Sequence, residues 1–373
     1  MKKRAGLILV SVLSLTMSLL IAELGLRLVA PVPDPTESDK RFRHYIVSQW
    51  APYTHWIISV EEGLPGVSGI IRFNTNNMGF RGSDLVIPKP PDEFRIFMVG
   101  GSTTECFILD DSQAINAVLQ NELGKLEHSG RTIKVYNAGR AGDKTVDHIA
   151  MIAHRLVHLE PDMIIVFAGI NDLRPYDYLH LYNKQRERLS FSRLVVLAST
   201  EFQVPRRLYY LLSRYQRPFG AVTAVSHVKE MVRIRRKAPL ANEIPADNTA
   251  PYRDNLITIA GVARAHGVRL VYMTQQETWN SRVDPQVEQW QWGLYDPGAG
   301  KTYRADLEDT ALEALNDVMR QVAVNQQIPL YDLRKILPQS TEFFMDDAHF
   351  NVRGAQAAGK GLAEFLSSRR LIP

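Results

Sequence analysis

The 373-residue chain has a single cysteine and lacks the common motifs of metal and nucleotide chemistry. Cys106 alone forms no intrachain disulfide and excludes a cysteine-rich metal site, so it reads as a small buried hydrophobic side chain. No P-loop, no HExxH and no GxGxxG after a predicted strand is present, which disfavours nucleotide-dependent and zinc-peptidase chemistry. No zinc-finger, helix-turn-helix or RNP-type pattern occurs either. We therefore expect no cofactor, no metal and no nucleic-acid partner.

Long hydrophobic runs are also scarce, and only one stretch is apolar enough to cross a bilayer. Three basic residues, 2–4, precede the 18 uncharged residues 5–22, which span about 27 Å as a helix, close to the thickness of the hydrocarbon core. A secretory signal has a shorter apolar region and a small-residue cleavage site. We expect an uncleaved single-pass anchor with its basic end in the cytoplasm and the rest of the chain outside, in the periplasm. A cleaved signal is the alternative.

The remaining composition is that of a globular protein, with 45% hydrophobic and 23% charged residues. The net charge of +4 is unevenly distributed, because residues 174–237 carry 14 Lys and Arg against four Asp and Glu. A Pro-rich stretch follows the apolar run, and residues 41–93 have the pattern of a small β-hairpin or strand extension. The predicted organisation is therefore an anchor over 1–30, a linker and β extension over 31–93, and a main domain over 94–373 with a basic helical insertion at about 174–250.

Predicted strands and helices alternate through the main domain. Five apolar segments are predicted strands: 94–99, 132–137, 162–169, 268–274 and 328–333. Segments with helical apolar spacing lie between and after them: 112–126, 146–159, 252–267, 306–325 and 352–368. This alternation predicts an α/β fold with a five-stranded parallel sheet covered by helices on both faces. Right-handed crossovers bring the carboxyl ends of all the strands to one edge of the sheet.

Polar and glycine motifs follow these strand ends. VGGSTTECF places Ser102 after the first strand, NAGRAGD places Gly142 after the second, and GIND places Asn171 after the third. DDAHFN places Asp346 and His349 just before the last helix. Taken singly, each motif also fits a plain structural role as a turn, a packed glycine loop or a helix cap. Their joint position at one sheet edge favours a site for acyl transfer.

The residue types supply each part of that chemistry. Ser102 is a weak nucleophile until a base within hydrogen-bond reach takes its proton, and His349 is the candidate base. Asp346 orients the imidazole and stabilises its charged form. The backbone N–H groups of Ser102 and Gly142 and the side-chain amide of Asn171 are the candidate oxyanion hole.

In this order, the motifs GGST, NAGRAGD, GIND and DDAHFN resemble the four blocks of the SGNH subgroup of the GDSL hydrolases, over roughly residues 94–366. The resemblance implies a flavodoxin-like α/β/α sandwich and metal-free ester hydrolysis or acyl transfer. It assigns the same roles to Ser102, Gly142, Asn171, Asp346 and His349. The first block departs from the pattern, since GGST lacks the carboxylate usually beside the serine. The interval between Asn171 and Asp346 is long for the family and indicates an insertion.

Two segments could contact the substrate, but each has more than one interpretation. The basic insertion fits a lid or interfacial segment on anionic headgroups, a rim that attracts an anionic polymer, or solvated helices over the sheet. The loop 278–303 contains Trp279, Trp290, Trp292 and Tyr295, which either stack on sugar rings or pack the loop. We expect a membrane-anchored esterase acting on O-acyl groups, chiefly O-acetyl, of an envelope glycan, or an O-acetyltransferase using the same residues. A lipase or lysophospholipase, and a catalytically silent envelope-assembly protein, are the alternatives. The sequence does not predict the oligomeric state.

Overall fold

The computed structural model describes residues 2–29, 49–50, 52–60, 62–126, 130–174, 176, 202–207, 223–243, 247–279, 285–296 and 299–373. The chain divides into two units, one formed by residues 1–41 and 177–218 and the other by residues 42–176 and 219–373. Most of the predicted insertion lies outside the described residues. The first unit contains 202–207, and the second contains 223–243.

The first unit contains helix α1, Lys2–Val29. Its stretch Val10–Val29 has a mean hydropathy of 1.8 and is long and apolar enough to cross a membrane. A helix of this kind near the start of a chain fits a membrane anchor and a signal sequence equally well. Within the same unit, the Glu23 carboxylate accepts the backbone N–H groups of Gln203 at 2.8 Å and Val204 at 3.0 Å. The helix is thus hydrogen-bonded to a segment 180 residues further along the chain.

The second unit contains the described β-strands. They are β1 His55–Val60, β2 Gly69–Asn74, β3 Glu93–Gly100, β4 Thr132–Asn137, β5 Met163–Phe167, β6 Leu240–Ala241, β7 Arg269–Met273, β8 Tyr295–Asp296, β9 Lys301–Tyr303 and β10 Leu330–Tyr331. β1 and β2 form an antiparallel hairpin whose register runs from His55 opposite Asn74 to Val60 opposite Gly69. β6, β9 and β8 form a small separate sheet.

The central sheet has the strand order β10-β7-β5-β3-β4, and every pair in it is parallel. Counted within the sheet, this is the order 2-1-3-4-5 of the flavodoxin-like doubly wound fold. The predicted five-stranded parallel sheet is therefore confirmed. The chain winds first to one side of β3 and then to the other, so the carboxyl ends of β3 and β5 border the crevice where such folds bind ligands.

Helices flank the sheet on both faces. They are α2 Ser102–Glu105, α3 Ile115–Gly124, α4 Thr145–His154, α5 Thr223–Lys237, α6 Thr249–Ala265, α7 Pro285–Glu288, α8 Ala305–Gln326, α9 Leu333–Ile336 and α10 Val352–Ser368. Two 3₁₀ turns, Leu156–Leu159 and Ile170–Leu173, precede and follow β5. α3 packs against α10, and α6 packs against both α4 and α8.

The central strands are buried on both faces, and their side chains alternate between two apolar clusters. In β3, Ile96 and Met98 belong to the cluster that also contains residues of α3 and α10. Phe97 and Val99 belong to the cluster that contains residues of α4, α6 and α8. This alternation follows from the two-residue period of a strand. It explains why the strands are continuous apolar runs in the sequence.

The segment that follows α2 is held by one buried arginine. The Arg81 guanidinium donates hydrogen bonds to the carbonyl oxygens of Glu105 at 2.9 Å, Cys106 at 2.7 Å and Leu109 at 2.9 Å. It also donates to the Asp111 carboxylate at 2.8 Å. Arg81 is 3% exposed, so these hydrogen bonds are made away from solvent.

Replacing Arg81 by Met should lower the free energy of unfolding by about 3–5 kcal/mol, because it leaves buried carbonyl groups without donors. R81K keeps the positive charge but not the fork of donors, so it should lower the free energy of unfolding by less than R81M does. Urea denaturation of the full chain in detergent micelles measures both. Wild-type stability in R81M would contradict this account of the segment.

Candidate active site

The two glycines that end β3 are required by what lies next to them. A Cβ placed on Gly100 would lie 2.3 Å from the carbonyl oxygen of Phe167 on the neighbouring strand. A Cβ on Gly101 would lie 2.4 Å from Nδ2 of Asn171 and 3.4 Å from the carbonyl oxygen of Asp143. Real Cβ atoms do not come within 3.0 Å of other atoms, so the distances of 2.3 Å and 2.4 Å could not persist unless the neighbouring groups moved. The glycines therefore let the turns that follow β4 and β5 close on the start of α2, where Ser102 lies.

Ser102, His349 and Asp346 form one hydrogen-bonded line. The Ser102 hydroxyl oxygen lies 2.8 Å from Nε2 of His349. Nδ1 of His349 lies 2.8 Å and 2.9 Å from the two carboxylate oxygens of Asp346. A carboxylate only accepts, so we assign the imidazole proton to Nδ1, which leaves Nε2 to accept the serine hydrogen. The structure thus brings together a hydroxyl and an imidazole that are 247 residues apart in the chain.

The Asp346 carboxylate is buried and surrounded by donors. Its Oδ1 accepts the backbone N–H groups of Ala348 at 3.1 Å and His349 at 3.0 Å. Its Oδ2 accepts the indole N–H of Trp292 at 3.1 Å. The loop then enters α10 through Asn351, whose side chain accepts the N–H of Gly354 at 2.9 Å and caps the helix.

These contacts shift the pKa values of both partners. Burial raises the pKa of Asp346, but the neighbouring imidazole and the donors outweigh burial, and the pKa of Asp346 falls below its ordinary value. Burial lowers the pKa of His349, but the charge of Asp346 and its hydrogen bond outweigh burial, and the pKa of His349 rises above 6.5. Each partner therefore favours the charged form of the other. This is the electrostatic requirement for an imidazole that takes up a proton during a reaction.

The candidate oxyanion donors lie on the turns that adjoin Gly101. Asn171 is in the 3₁₀ turn after β5, and its Nδ2 donates to the carbonyl oxygen of Asp143 at 2.9 Å. An amide nitrogen has two hydrogens, and this bond uses one of them. Gly142 precedes Asp143 and is exposed, with a φ of +83° that favours glycine. The structure thus brings Asn171 and the Gly142 turn to the nucleophile turn.

A second contact ties α2 to the NAGRAGD turn. Oε1 of the buried Glu105 accepts the indole N–H of Trp50 at 2.6 Å and a guanidinium N–H of Arg140 at 3.3 Å. The Arg140 guanidinium lies 4.0 Å from the centre of the Trp50 ring, as in a cation–π contact. Burial raises the pKa of Glu105 despite the nearby arginine. Sequence reasoning missed this cluster, because residue 50 lies outside the motifs.

The tryptophans of the 278–303 loop have different environments. Trp279 and Trp290 are buried, as the packing interpretation predicts. Trp292 is half-buried, and its ring lies within 7° of parallel to the His349 ring at a centroid distance of 6.1 Å. Sequence reasoning did not find that Trp292 contacts the candidate catalytic pair, and no local pattern signals it.

A second buried aspartate holds the same loop. Asp347 accepts the indole N–H of Trp279 at 2.5 Å and the backbone N–H groups of Trp292 at 2.6 Å and Gly293 at 2.8 Å. Burial and, after it, the negative charge of Asp346 outweigh these hydrogen bonds and raise the pKa of Asp347 to about 6. The adjacent carboxylates of DDAHFN therefore both bind Trp292, Asp346 at its indole N–H and Asp347 at its backbone N–H.

Two arginines in the described part of the basic insertion form ion pairs. In α5, Arg233 lies 2.5 Å from Glu230, and Arg235 lies 3.1 Å from Glu288. Arg235 and Glu288 border a cleft of about 580 Å³ whose lining includes Leu294 and Tyr303 but none of the five predicted site residues. The pairs are those expected of a solvated helix that packs on its neighbours.

Residues 98–357 match the model of the GDSL-like lipase/acylhydrolase family. The chain belongs to this family. The resemblance drawn from the four motifs is therefore confirmed. No curated protein sequence matches the chain.

Solved structures with a similar fold are distant in sequence. The lipase/acylhydrolase from Enterococcus faecalis is 17% identical, with 74% of this chain and 97% of that chain covered and a TM-score of 0.40. TesA is 16% identical, with 74% and 98% covered and a TM-score of 0.41. The acetyl xylan esterase AlAXEase is 13% identical, with 74% and 99% covered and a TM-score of 0.40.

In this GDSL-family protein, replacing Asp347 by Asn should change how stability depends on pH. The pKa of Asp347 is about 6 in the folded state against 3.8 ordinarily, so the folded state binds this proton more tightly than the unfolded chain. The resulting stability is complete below the unfolded-state pKa and is lost as the pH rises through the folded-state pKa. The Tm of the wild type minus that of D347N should therefore decrease between about pH 4 and pH 7.

Thermal unfolding of both proteins across this range measures the difference. Subtracting D347N removes the contributions of the titrating groups that the charge of Asp347 does not influence, which leaves Asp347 with its neighbours Asp346 and His349. A difference that stays constant or grows with pH would contradict the raised pKa of Asp347.

Proposed function

We propose that this GDSL-family protein is a membrane-anchored serine esterase that acts outside the cytoplasm. Its proposed substrate is an O-acyl group, in particular O-acetyl, on a carbohydrate, which it removes or transfers. The observation that carries the proposal is the line from Ser102 through His349 to Asp346, with 2.8 Å at each step. This line stands at the sheet edge where doubly wound folds bind their ligands.

The geometry supports a two-step reaction. His349 Nε2 takes the hydroxyl proton as the Ser102 oxygen attacks the ester carbonyl. Asp346 stabilises the imidazolium that forms, and the tetrahedral oxyanion accepts hydrogen bonds from Asn171 and from the backbone N–H groups of Ser102 and Gly142. His349 then returns the proton to the leaving alcohol, and the carbonyl re-forms as an acyl ester on Ser102.

The second step decides between hydrolysis and transfer. His349 takes a proton from the incoming hydroxyl group, whose oxygen attacks the acyl ester. Collapse of the second tetrahedral intermediate returns the serine oxygen, which regains its proton from His349. Water as the incoming group gives hydrolysis, and a sugar hydroxyl gives transfer of the acyl group. Both outcomes use the same residues.

The compartment in the proposal is supported by α1, which is long and apolar enough to cross a membrane and has three basic residues, 2–4, at its start. The same helix would hold the site near lipid, which makes a lipase or lysophospholipase the second candidate. The hydrogen-bonded Ser102, His349 and Asp346 argue against a catalytically silent binding protein, because such a protein needs no aligned base.

S102A should abolish both ester hydrolysis and labelling by a fluorophosphonate probe, since both depend on attack by the serine oxygen. Hydrolysis of a short-chain aryl acetate and in-gel fluorescence of the labelled full chain measure the two effects. S112A, at an exposed serine that bonds to Asp110, is the matched control and should keep both.

The substrate class is tested with the same protein. Aryl acetate, a long-chain acyl ester and acetylated xylan are offered in parallel, and a carbohydrate-directed enzyme should release acetate from the xylan and prefer the short acyl chain. Preference for the long acyl chain would favour the lipase instead. Equal labelling of S102A and wild type would overturn the serine mechanism itself.

The rate should fall on the acid side with a midpoint above 6.5, the ordinary pKa of histidine, because Asp346 raises the pKa of the base. D346N removes that charge, so its lower residual rate should fall at a lower pH than that of the wild type. The pH dependence of kcat for aryl acetate measures both midpoints. A wild-type rate that is flat down to about pH 4.5 would exclude His349 as the base.

A further inference from the structure

We infer that Trp292 is a positioning residue of this site, which fixes the Asp346 carboxylate through its indole N–H while its own backbone is held by Asp347. The inference rests on the proposed function for its meaning in catalysis. It concerns a residue that lies 54 residues before Asp346 in the chain and outside the four motifs.

The indole group acts on the carboxylate oxygen that has fewer donors. Oδ1 of Asp346 accepts two backbone N–H groups from its own loop. Oδ2 accepts the Trp292 indole N–H at 3.1 Å and lies 2.9 Å from Nδ1 of His349. The backbone donors hold one end of the carboxylate plane, and the indole holds the other. Together they fix the rotation of the plane and thereby the direction in which the imidazole points.

The backbone of Trp292 is itself fixed by hydrogen bonds to a second carboxylate. Both its backbone N–H and that of Gly293 donate to the same oxygen of Asp347. A Cβ placed on Gly293 would lie 3.2 Å from the carboxyl carbon of Asp347, so the loop approaches that carboxylate closely. The preceding residue, Gln291, donates from its side chain to the carbonyl oxygen of Thr278 at 2.7 Å. Two consecutive aspartates therefore form hydrogen bonds to Trp292, Asp346 at its ring N–H and Asp347 at its backbone N–H.

Removing only the indole N–H has a definite electrostatic consequence. The hydrogen bond from Trp292 lowers the pKa of Asp346, so its loss makes the carboxylate more basic. A more basic carboxylate stabilises the imidazolium more strongly and moves the pKa of His349 upward. The other charged groups that act on His349 are Asp347 and Glu105, and the change leaves both in place.

The test compares W292F, which keeps an aromatic ring but has no N–H, with W290F in the same loop. Trp290 is buried in the apolar core, so W290F reports what a cavity in this loop does by itself. All proteins are full chains in detergent micelles, assayed with aryl acetate across pH. W292F should lower kcat about tenfold and leave KM within about twofold, because the lost bond is to a charged group used during the chemical step. Its acid-side midpoint should lie at a higher pH than that of wild type and of W290F.

A second measurement does not require turnover. Titration of the His349 imidazole, followed by NMR with labelled histidine, should give a higher pKa in W292F than in wild type. Trp292→β-(3-benzothienyl)alanine replaces the ring N–H by sulfur at nearly constant shape and should give the same shift, which guards against a W292F chain that does not fold.

The outcomes separate the two proposals. Unchanged kcat and an unchanged histidine titration in W292F would overturn the positioning role, as would a loss of activity equal to that of W290F without a shifted midpoint. If S102A hydrolyses ester as the wild type does, the proposed function fails. The histidine titration then still tests whether the indole controls the Asp346–His349 pair.

Discussion

A carboxylate that is buried away from water is stable only when hydrogen-bond donors surround it. The buried carboxylate of Asp346 imposes this requirement on the site. Two backbone N–H groups, an imidazole and an indole meet it. Those four donors come from the loop before α10 and from the segment between α7 and β8. Meeting the electrostatic need of one side chain thereby brings distant parts of the chain together and aims His349 at Ser102.

The sheet supplies the complementary half of the site. Because β3, β4 and β5 are parallel neighbours, the turns after them meet at one edge. Gly100 and Gly101 remove the side chains that would hold these turns apart. The nucleophile turn and the Asn171 turn then come into direct contact, and a Cβ at either position would require the neighbouring groups to move. The close approach of the backbone at Gly100 and Gly101 positions the half of the site that contains Ser102. The donors around the Asp346 carboxylate position the half that contains His349.

Much of the fold and of the candidate site could be predicted from sequence, because both leave local patterns. Buried parallel strands appear as apolar runs, and Ser102, Gly142, Asn171, Asp346 and His349 each follow or precede such an element. Contacts between distant segments leave no such pattern. The indole of Trp292, the fork of Arg81 and the Trp50–Glu105–Arg140 cluster depend on where two or more separate segments meet. The aromatic loop was predicted to stack on sugars or to pack, and Trp292 does something that neither interpretation included. The basic insertion at about 174–250 stays a prediction, since most of it lies outside the described residues.

The bonds from Gln203 and Val204 to Glu23 bear on how the chain can be processed. A leader peptide can be cleaved off without structural cost only when the mature protein makes no contacts with it. Here a peptidase cutting after α1 would carry away the acceptor of two main-chain amides in a segment far downstream. Maturation by such a cut would leave the backbone N–H groups of Gln203 and Val204 without the carboxylate that accepts them.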